Sequence, residues 1–589
     1  MTSPGQNGAT DDRSGGATVQ AAAPRGFAAV LSGPAILAGF VREASGRWNG
    51  LALLLIAGGL STLAHAPFYA WPLLSLTLPL LFWSIEGACR KQRPLLACAQ
   101  SGFAFAFAYF FFGLSWVGEA FLVEAEIFAW LLPFAITLLP AVMALYWALA
   151  AAITGWLWSR RKMCDCLSPV GAAARIIVLA VIFAVIEWVR GHAFTGFPWH
   201  NPGLALTAPI ELMQVTALVG MYGLLPFAFA VTLTPVVALA AAGKAWQPQG
   251  RHTEPPRPMR SALIVTAAMT LLPLAAAYAY GTARLSQPPS PALEGVRVRI
   301  VQPSIPQREK WRADKQAEIF GIHLDLSRRD HTGKVDELAG ITHVIWPEAS
   351  MPFGPLDDQE ALDAIGRSLP DGVHLLAGIL RRGDLRLRPT PVHNSLAAFD
   401  HTGRLVSLYD KIHLVPFGEY LPFPHILESI GLQNLVRQRG GFTPGQSPKP
   451  LMAIPGLPAV SPVICYEAIF PGEIVQGAER PGLIVIATND GWFGRSIGPS
   501  QHFHQARVRA VEQGIPVLRS ANNGISALID PEGRVIGQLD LDVRSTSDVI
   551  IPGKRPEPWA SRLGSLGLAF SIALYIFALL ICKSRLAYN

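Results

Sequence analysis

Charge is scarce in this chain: 15% of its 589 residues are Asp, Glu, Lys or Arg, against 51% hydrophobic residues. That composition excludes a purely soluble enzyme, and the length exceeds what one hydrophobic core organises. A membrane part and a soluble part are expected. Cysteine is scarcer still, six in all. Between two strongly hydrophobic segments, near 261–281 and 563–582, there is only Cys465. A lone cysteine excludes an intradomain disulfide and a thiolate metal site. It is either a small buried hydrophobe or a nucleophile. Internal repeats are absent, and so is a cleavable signal. The first 25 residues, rich in Gly, Ala, Ser and Thr, read as a disordered tail. The stretch 26–41 is broken by Gly and Pro and is too short for a span.

Long apolar runs are what the chain does have. Eight segments approach the ~20 residues that a membrane helix needs, near 50–67, 71–88, 95–118, 129–158, 176–194, 216–242, 261–281 and 563–582. Basic residues mark alternate loops: Arg90, Lys91 and Arg93, then Arg160, Arg161 and Lys162, then Lys244, Arg251, Arg257 and Arg260. The loop after the third span carries Glu119, Glu124 and Glu126 instead. By the positive-inside rule both termini are cytoplasmic. Four regions follow: an irregular N-terminal region 1–48, a seven-span domain 49–282, a domain 283–560 on the outer face, and a last span with a short tail, 561–589. The net charge of +7 is spread over these loops rather than gathered in a patch, so nucleic acid is not expected as a partner. The cysteine-bearing loops at Cys89 and Cys164/Cys166 fall on the reducing side, so no disulfide is required.

Within 283–560 short β-rich runs alternate with helical stretches, the pattern of a layered α/β domain. Strands are expected at 296–301, 344–346, 375–380, 396–399, 405–408, 462–465, 483–487, 517–518 and 526–529. Helices are expected at 312–329, 358–368 and 500–514. The last of these, with His502, His504, Arg507 and Arg509, reads as a packing or solvated helix rather than a metal site. Residues 414–445, rich in Pro, Gly and aromatics, are expected to form a mobile membrane-facing lid.

Three chemically competent side chains sit at strand ends or in the turns after them. Glu348 follows Ile345-Trp346-Pro347, Lys411 opens 411–419, and Cys465 closes Val463-Ile464. A carboxylate takes a thiol proton and returns it as general acid. An ammonium lowers a thiol's pKa and, with the backbone N–H after the cysteine, stabilises an oxyanion. The set describes acyl transfer through a thioester.

Trp346-Pro347-Glu348, the run 411–419, Cys465-Tyr466-Glu467 and Asn489-Asp490-Gly491-Trp492-Phe493-Gly494 resemble the signature blocks of the apolipoprotein N-acyltransferases, the membrane branch of the nitrilase superfamily. The resemblance spans about 50–583. It implies a polytopic eight-span α-helical membrane bundle carrying a periplasmic nitrilase-like αββα sandwich in the bacterial inner membrane. Glu348 is then general base and acid, Lys411 the charge stabiliser and Cys465 the nucleophile. An acyl chain would leave a phospholipid, typically phosphatidylethanolamine, and reach the α-amine of the diacylglyceryl-cysteine of an apolipoprotein. No metal or organic cofactor is implied. Ala349 and Gly491 depart from the common serine and alanine of the family without touching the three reactive groups.

Supporting positions are less sharply marked. Glu419 resembles a family position that assists the catalytic pair, and Trp311 one near the site entrance. Tyr466 and Glu467 shape the oxyanion site or pack. Asn394, at a strand start, reads as structural. Trp199 is a lipid contact or an aromatic-belt residue. Glu187 and Arg190 have the spacing of a helical ion pair. A membrane-anchored amidase or nitrilase hydrolysing a small C–N compound, and a non-catalytic binding module, are the other readings; eight spans are hard to explain for the first.

Overall fold

The computed structural model describes residues 25–161, 163, 168–245, 264–387, 390–423, 425, 429, 441–564 and 566–587. Most of the central part of the expected lid (424, 426–428 and 430–440) and both Cys164 and Cys166 lie outside them. Of the lid's described aromatics, Phe417 and Phe423 are exposed, Tyr420 is half-buried and Phe442 is buried.

The N-terminal half is a helical bundle. Among the described residues five helices are long and apolar enough to cross a membrane: Pro94–Gly113, Ala125–Arg160, Pro169–Arg190, Thr216–Ala240 and Ile264–Leu285. Trp48–Ala64 and Leu566–Phe577 are apolar but shorter. Within the N-terminal region 1–48, Arg25–Ala44 is one helix running through Pro34. Its second half is fixed by tertiary contacts that outweigh the proline penalty. Ala38 and Val41 are buried, and Arg42 Nε lies 2.7 Å from Glu86 Oε2 on Leu74–Ala88.

Small residues let the helices touch. A Cβ on Gly102 would come within 2.4 Å of the Trp147 carbonyl oxygen, so Pro94–Gly113 and Leu132–Arg160 pack backbone to backbone. Charges inside the bundle are paired, as a low-dielectric setting requires. Glu86 is clasped by Arg42 and Arg175. Glu187 meets Arg190 at 2.6 Å and accepts from Trp147 Nε1 at 2.8 Å. Arg190 Nη1 also donates to the carbonyls of Phe197 (2.5 Å) and Trp199 (3.1 Å), so this pair fixes the loop that leaves its helix.

The second half is a four-layer α-β-β-α sandwich. One sheet has the order β11-β1-β2-β3-β4-β5, with β1 Ala292–Gln302, β2 His343–Ile345, β3 His374–Arg382, β4 Val392–Phe399, β5 Leu405–Asp410 and β11 Ser545–Pro552. The other runs β10-β9-β8-β7-β6, with β6 Val460–Ile464, β7 Leu483–Thr488, β8 Val517–Ala521, β9 Ser526–Ile529 and β10 Val535–Leu539. β1–β3 are mutually parallel, as are β6–β8. Val298, Ile300, Leu376 and Leu396 from the first sheet meet Ile464, Val485 and Leu518 from the second in the central core. Helices Gln316–Ser327 and Gln359–Ser368 cover the first sheet, and Gly498–Gln513 covers the second.

That last helix is the hinge of the architecture, because its other side packs on the membrane bundle. Glu512 accepts a 2.5 Å hydrogen bond from the Met221 N–H, at the point where Gly220 (φ +70°) breaks its helix. Trp199 Nε1 donates to Gln501 at 2.7 Å.

Candidate active site

The site forms at the carboxyl ends of the parallel strands, where open α/β sheets place their chemistry. β2 stops at Ile345, because Pro347 cannot continue a central strand. The turn that follows crosses β3 at Gly378, where a Cβ would lie 2.6 Å from Glu348 Cα. Glycine is required there for the close approach, and it leaves Glu348 facing β4. Asn394 on β4 donates through Nδ2 to Glu348 Oε1 (2.8 Å) and to Glu419 Oε1 (3.0 Å). Lys411 follows β5; its N–H bonds the Asn394 carbonyl, and its Nζ lies 2.9 Å from Glu419 Oε2 and 3.7 Å from Glu348 Oε1. Glu419 also accepts from the Val415 N–H at 2.8 Å, closing the 411–419 loop on itself.

Cys465 follows β6 in a positive-φ conformation (+49°), which side chains other than glycine rarely adopt. Such a residue marks a turn held by its surroundings. Here Glu467 holds it: its carboxylate accepts from the N–H groups of Ile464 (2.8 Å), Ile412 (3.0 Å) and His413 (3.2 Å), and from Tyr409 Oη (2.6 Å). The Cys465 turn and the Lys411 loop are thereby stapled together. The thiol is buried, within reach of the charges of Glu348 and Lys411.

The electrostatics correct one expectation. Burial, then the charge of Glu348, push the Cys465 thiol well up, and Lys411 opposes this only in part. The Lys411 ammonium does not by itself offset that rise. Burial disfavours its own charge, but Glu419 and Glu348 more than compensate and raise its pKa. Two carboxylates thus absorb much of the ammonium's field. Burial also raises Glu348, with Glu419 adding repulsion and Lys411 opposing. A thiol and a carboxyl whose pKa values are both pushed up by burial suit proton transfer between them.

Of the other positions, Tyr466 points to the membrane half, its Oη 3.2 Å from the Gly196 carbonyl and its ring stacked near Phe197. Trp199 is buried rather than lipid-exposed, between Trp116, Phe493 and His502. The adjoining domain covers the face that a bare membrane helix would show to lipid. Trp311 is half-buried, directly after Lys310. Asn394 lies between the two carboxylates instead of serving the strand alone.

Two family models match the chain: residues 297–560 fit Carbon-nitrogen hydrolase, and 57–234 fit Apolipoprotein N-acyltransferase N-terminal domain. An apolipoprotein N-acyltransferase of Rhodopseudomonas palustris is 41% identical, over 91% of this chain and 96% of its own. The chain belongs to the apolipoprotein N-acyltransferase family. A second apolipoprotein N-acyltransferase, from Bradyrhizobium diazoefficiens, is 39% identical over 92% and 96% of the two chains. Among solved structures, an amidase mutant from Nesterenkonia sp. AN1 is 17% identical, covering 45% of this chain and 95% of that one with a TM-score of 0.28.

Sequence reasoning about this apolipoprotein N-acyltransferase chain missed Lys310. It is fully buried, donates to the Glu348 carbonyl at 2.8 Å, and burial lowers its pKa to about 8 against the opposing charges of Glu348 and Cys465. Its only signal was adjacency to Trp311. His502, read from sequence as part of a packing helix, reaches the Cys465 turn itself: Nε2 is 3.1 Å from the Cys465 carbonyl.

Proposed function

We propose that the protein is an inner-membrane enzyme that transfers an acyl chain from a phospholipid to the α-amine of an apolipoprotein's diacylglyceryl-cysteine, by a ping-pong route through Cys465. The observation that carries this is a buried Cys465 turn that Glu467 ties to the loop of Lys411, itself 3.7 Å from Glu348, and whose next residue, Tyr466, touches a membrane-domain loop.

In the first half-reaction Sγ attacks the ester carbonyl while Glu348, whose Oε2 is buried without a hydrogen-bond partner among the described residues, takes the thiol proton. Lys411 and the Tyr466 N–H receive the developing oxyanion. The intermediate collapses, the ester C–O bond breaks, and Glu348 returns its proton to the leaving glycerol oxygen. A lysophospholipid departs and a thioester remains. In the second half the neutral α-amine attacks the thioester, its proton passes to Glu348 and then to the departing sulfur, and an amide is released. An α-amine titrates near pH ~8, so an appreciable fraction is nucleophilic at neutral pH.

In this reading phosphatidylethanolamine is the donor, eight helices span the membrane, both termini are cytoplasmic and 283–560 is periplasmic. Loop charge supports that orientation. Glu419 holds Lys411, Asn394 bridges the two carboxylates, and Tyr466, Glu467, Trp311 and Trp199 shape the surroundings.

The test supplies labelled phosphatidylethanolamine and a diacylglyceryl-cysteinyl peptide to the purified protein in mixed micelles. Lysophospholipid and N-acylated peptide should appear together, and neither with Cys465→Ala or with a peptide whose α-amine is acetylated. Hydrolysis of soluble amides with phospholipid left intact would favour the amidase reading.

A further inference from the structure

A buried ionic chain ends on the backbone of the proposed nucleophile. Arg519 on β8 donates through Nη2 to Asp490 Oδ2 at 2.6 Å. Asp490, in the turn after β7, accepts from Thr488 Oγ1 at 3.0 Å, and its Oδ1 lies 3.0 Å from His502 Nδ1. The far nitrogen of that ring, Nε2, lies 3.1 Å from the Cys465 carbonyl oxygen. Asp490, His502 and Arg519 are all fully buried. Trp199 stacks on the imidazole at 5.5 Å and Phe493 meets it edge-on, so the ring has no room to turn.

A carbonyl oxygen only accepts, so a hydrogen bond to Cys465 requires the ring proton on Nε2. Nδ1 is flanked by the Asp490 carboxylate and by Arg519 Nη2 at 3.3 Å. A neutral ring with its proton on Nε2 accepts the Arg519 N–H at Nδ1, and an imidazolium donates to both Asp490 and Cys465; in either form Nε2 is the donor toward the nucleophile's peptide group. That peptide group is shared: its C=O belongs to Cys465 and its N–H to Tyr466. Hydrogen bonds to the two ends of one amide reinforce each other, because drawing electron density onto oxygen makes the N–H a stronger donor.

We propose that His502 is a positioning residue acting through the Cys465–Tyr466 amide, orienting and strengthening the Tyr466 N–H toward the oxyanion of acyl transfer. The Asp490–Arg519 pair holds the imidazole in register. This rests on the thioester reading above, since without a tetrahedral oxyanion the N–H has nothing to stabilise. It also gives the Asn489–Gly494 block a role, in which Asp490 anchors the relay while Phe493 and Trp199 wall it in. The membrane loop fixed by Arg190 thereby bears on the reacting centre through Trp199.

Two reactions of the same thiol separate this role from general upkeep of the turn. Acylation by phospholipid passes through an oxyanion; alkylation by iodoacetamide, a direct displacement at carbon, does not. In His502→Leu the single-turnover acylation rate should fall about tenfold, less than the hundredfold or more for a direct oxyanion donor. The alkylation rate of Cys465 should stay within about twofold, since the amide's polarity does not enter a displacement lacking an oxyanion. The loss should appear in kcat, with the KM for phospholipid unchanged. His502→Gln, whose Nε2 also donates, should recover most of the rate. Asp490→Asn, which loosens the ring without removing it, should show the same contrast more weakly, and serves if His502→Leu does not fold. Parallel loss of acylation and alkylation, or an unchanged acylation rate, overturns the proposal. Failure of the wild-type protein to form any thioester instead overturns the reading on which it rests.

Discussion

Replacing Glu419 by Gln isolates the electrostatics of the site. Asn394 Nδ2 bonds one oxygen of Glu348 at 2.8 Å and one of Glu419 at 3.0 Å, and Lys411 Nζ lies between the same carboxylates. Two oxygens meeting on one nitrogen are about 5 Å apart, and at an effective dielectric of ~20 their repulsion is about 3 kcal/mol, which pushes the Glu348 pKa up. Removing the charge also releases Lys411 to serve Glu348 alone. Both effects lower the Glu348 pKa. The base must be unprotonated to take the thiol proton, so the acid limb of the acylation rate should move down by about one to two pH units. The plateau should fall as well, because a base of lower pKa takes the proton less readily. The assay is single-turnover thioester formation with phospholipid alone, which keeps the acceptor amine's own titration out of the profile. An acid limb that stays in place or moves up would refute the reasoning, because Glu419 would then not govern the base.

Other expectations follow from burial and close approach. Lys310 has a folded pKa of about 8 against 10.5 when solvated, so below pH 8 folding carries the full cost of its buried charge, about 3 kcal/mol, which disappears as pH rises through 10.5. Lys310→Met should therefore melt higher than wild type at pH 7 and no higher at pH 10.5, where only the lost hydrogen bond to the Glu348 carbonyl (~1 kcal/mol) remains; a variant less stable at both pH values contradicts this. Gly378→Ala puts a Cβ 2.5 Å from the Pro347 carbonyl and 2.6 Å from Glu348 Cα, backbone atoms that cannot swing aside. A loss of about 3 kcal/mol in thermal unfolding is expected, with acylation falling more than melting explains, and a crystal structure with Glu348 undisplaced would contradict it. Arg190→Met leaves Glu187 buried without its partner and frees the Phe197 and Trp199 carbonyls, so about 3–5 kcal/mol of stability should go; a melting point within 2 °C of wild type would show the pair to be dispensable.

Periodicity revealed the strands of the central core, because residues such as Val298, Ile345, Leu376 and Val485 face apolar layers on both sides of their sheet. β10 and β11 were not legible. β10 is largely exposed and interrupted by Gly537, and β11 begins Ser545-Thr546-Ser547-Asp548, whose Asp548 pairs with the buried Arg299 rather than with water. The helix Arg25–Ala44 was hidden by Pro34, since tertiary contacts and not propensity hold it. In the site, strand ends and proline pointed to Glu348, Lys411 and Cys465, and short-range motifs to Glu419. Asn394 was marked only as a supporting position, and Lys310 and His502 were invisible as participants, because their partners are distant in sequence and only the fold brings them together. The balance of charges on the thiol was not legible for a similar reason: a lysine beside a cysteine lowers its pKa, but burial and the Glu348 charge, seen only in the fold, push it up.

The central claim is a covalent one, and intact-mass measurement tests it most directly. Purified protein incubated with phosphatidylethanolamine alone should gain one acyl chain, mapped by peptide sequencing to Cys465 and released by hydroxylamine, and a diacylglyceryl-cysteinyl peptide with a free amine should discharge it. A chain of unchanged mass under conditions where N-acylated peptide is being made, or an adduct carried elsewhere, would contradict the account.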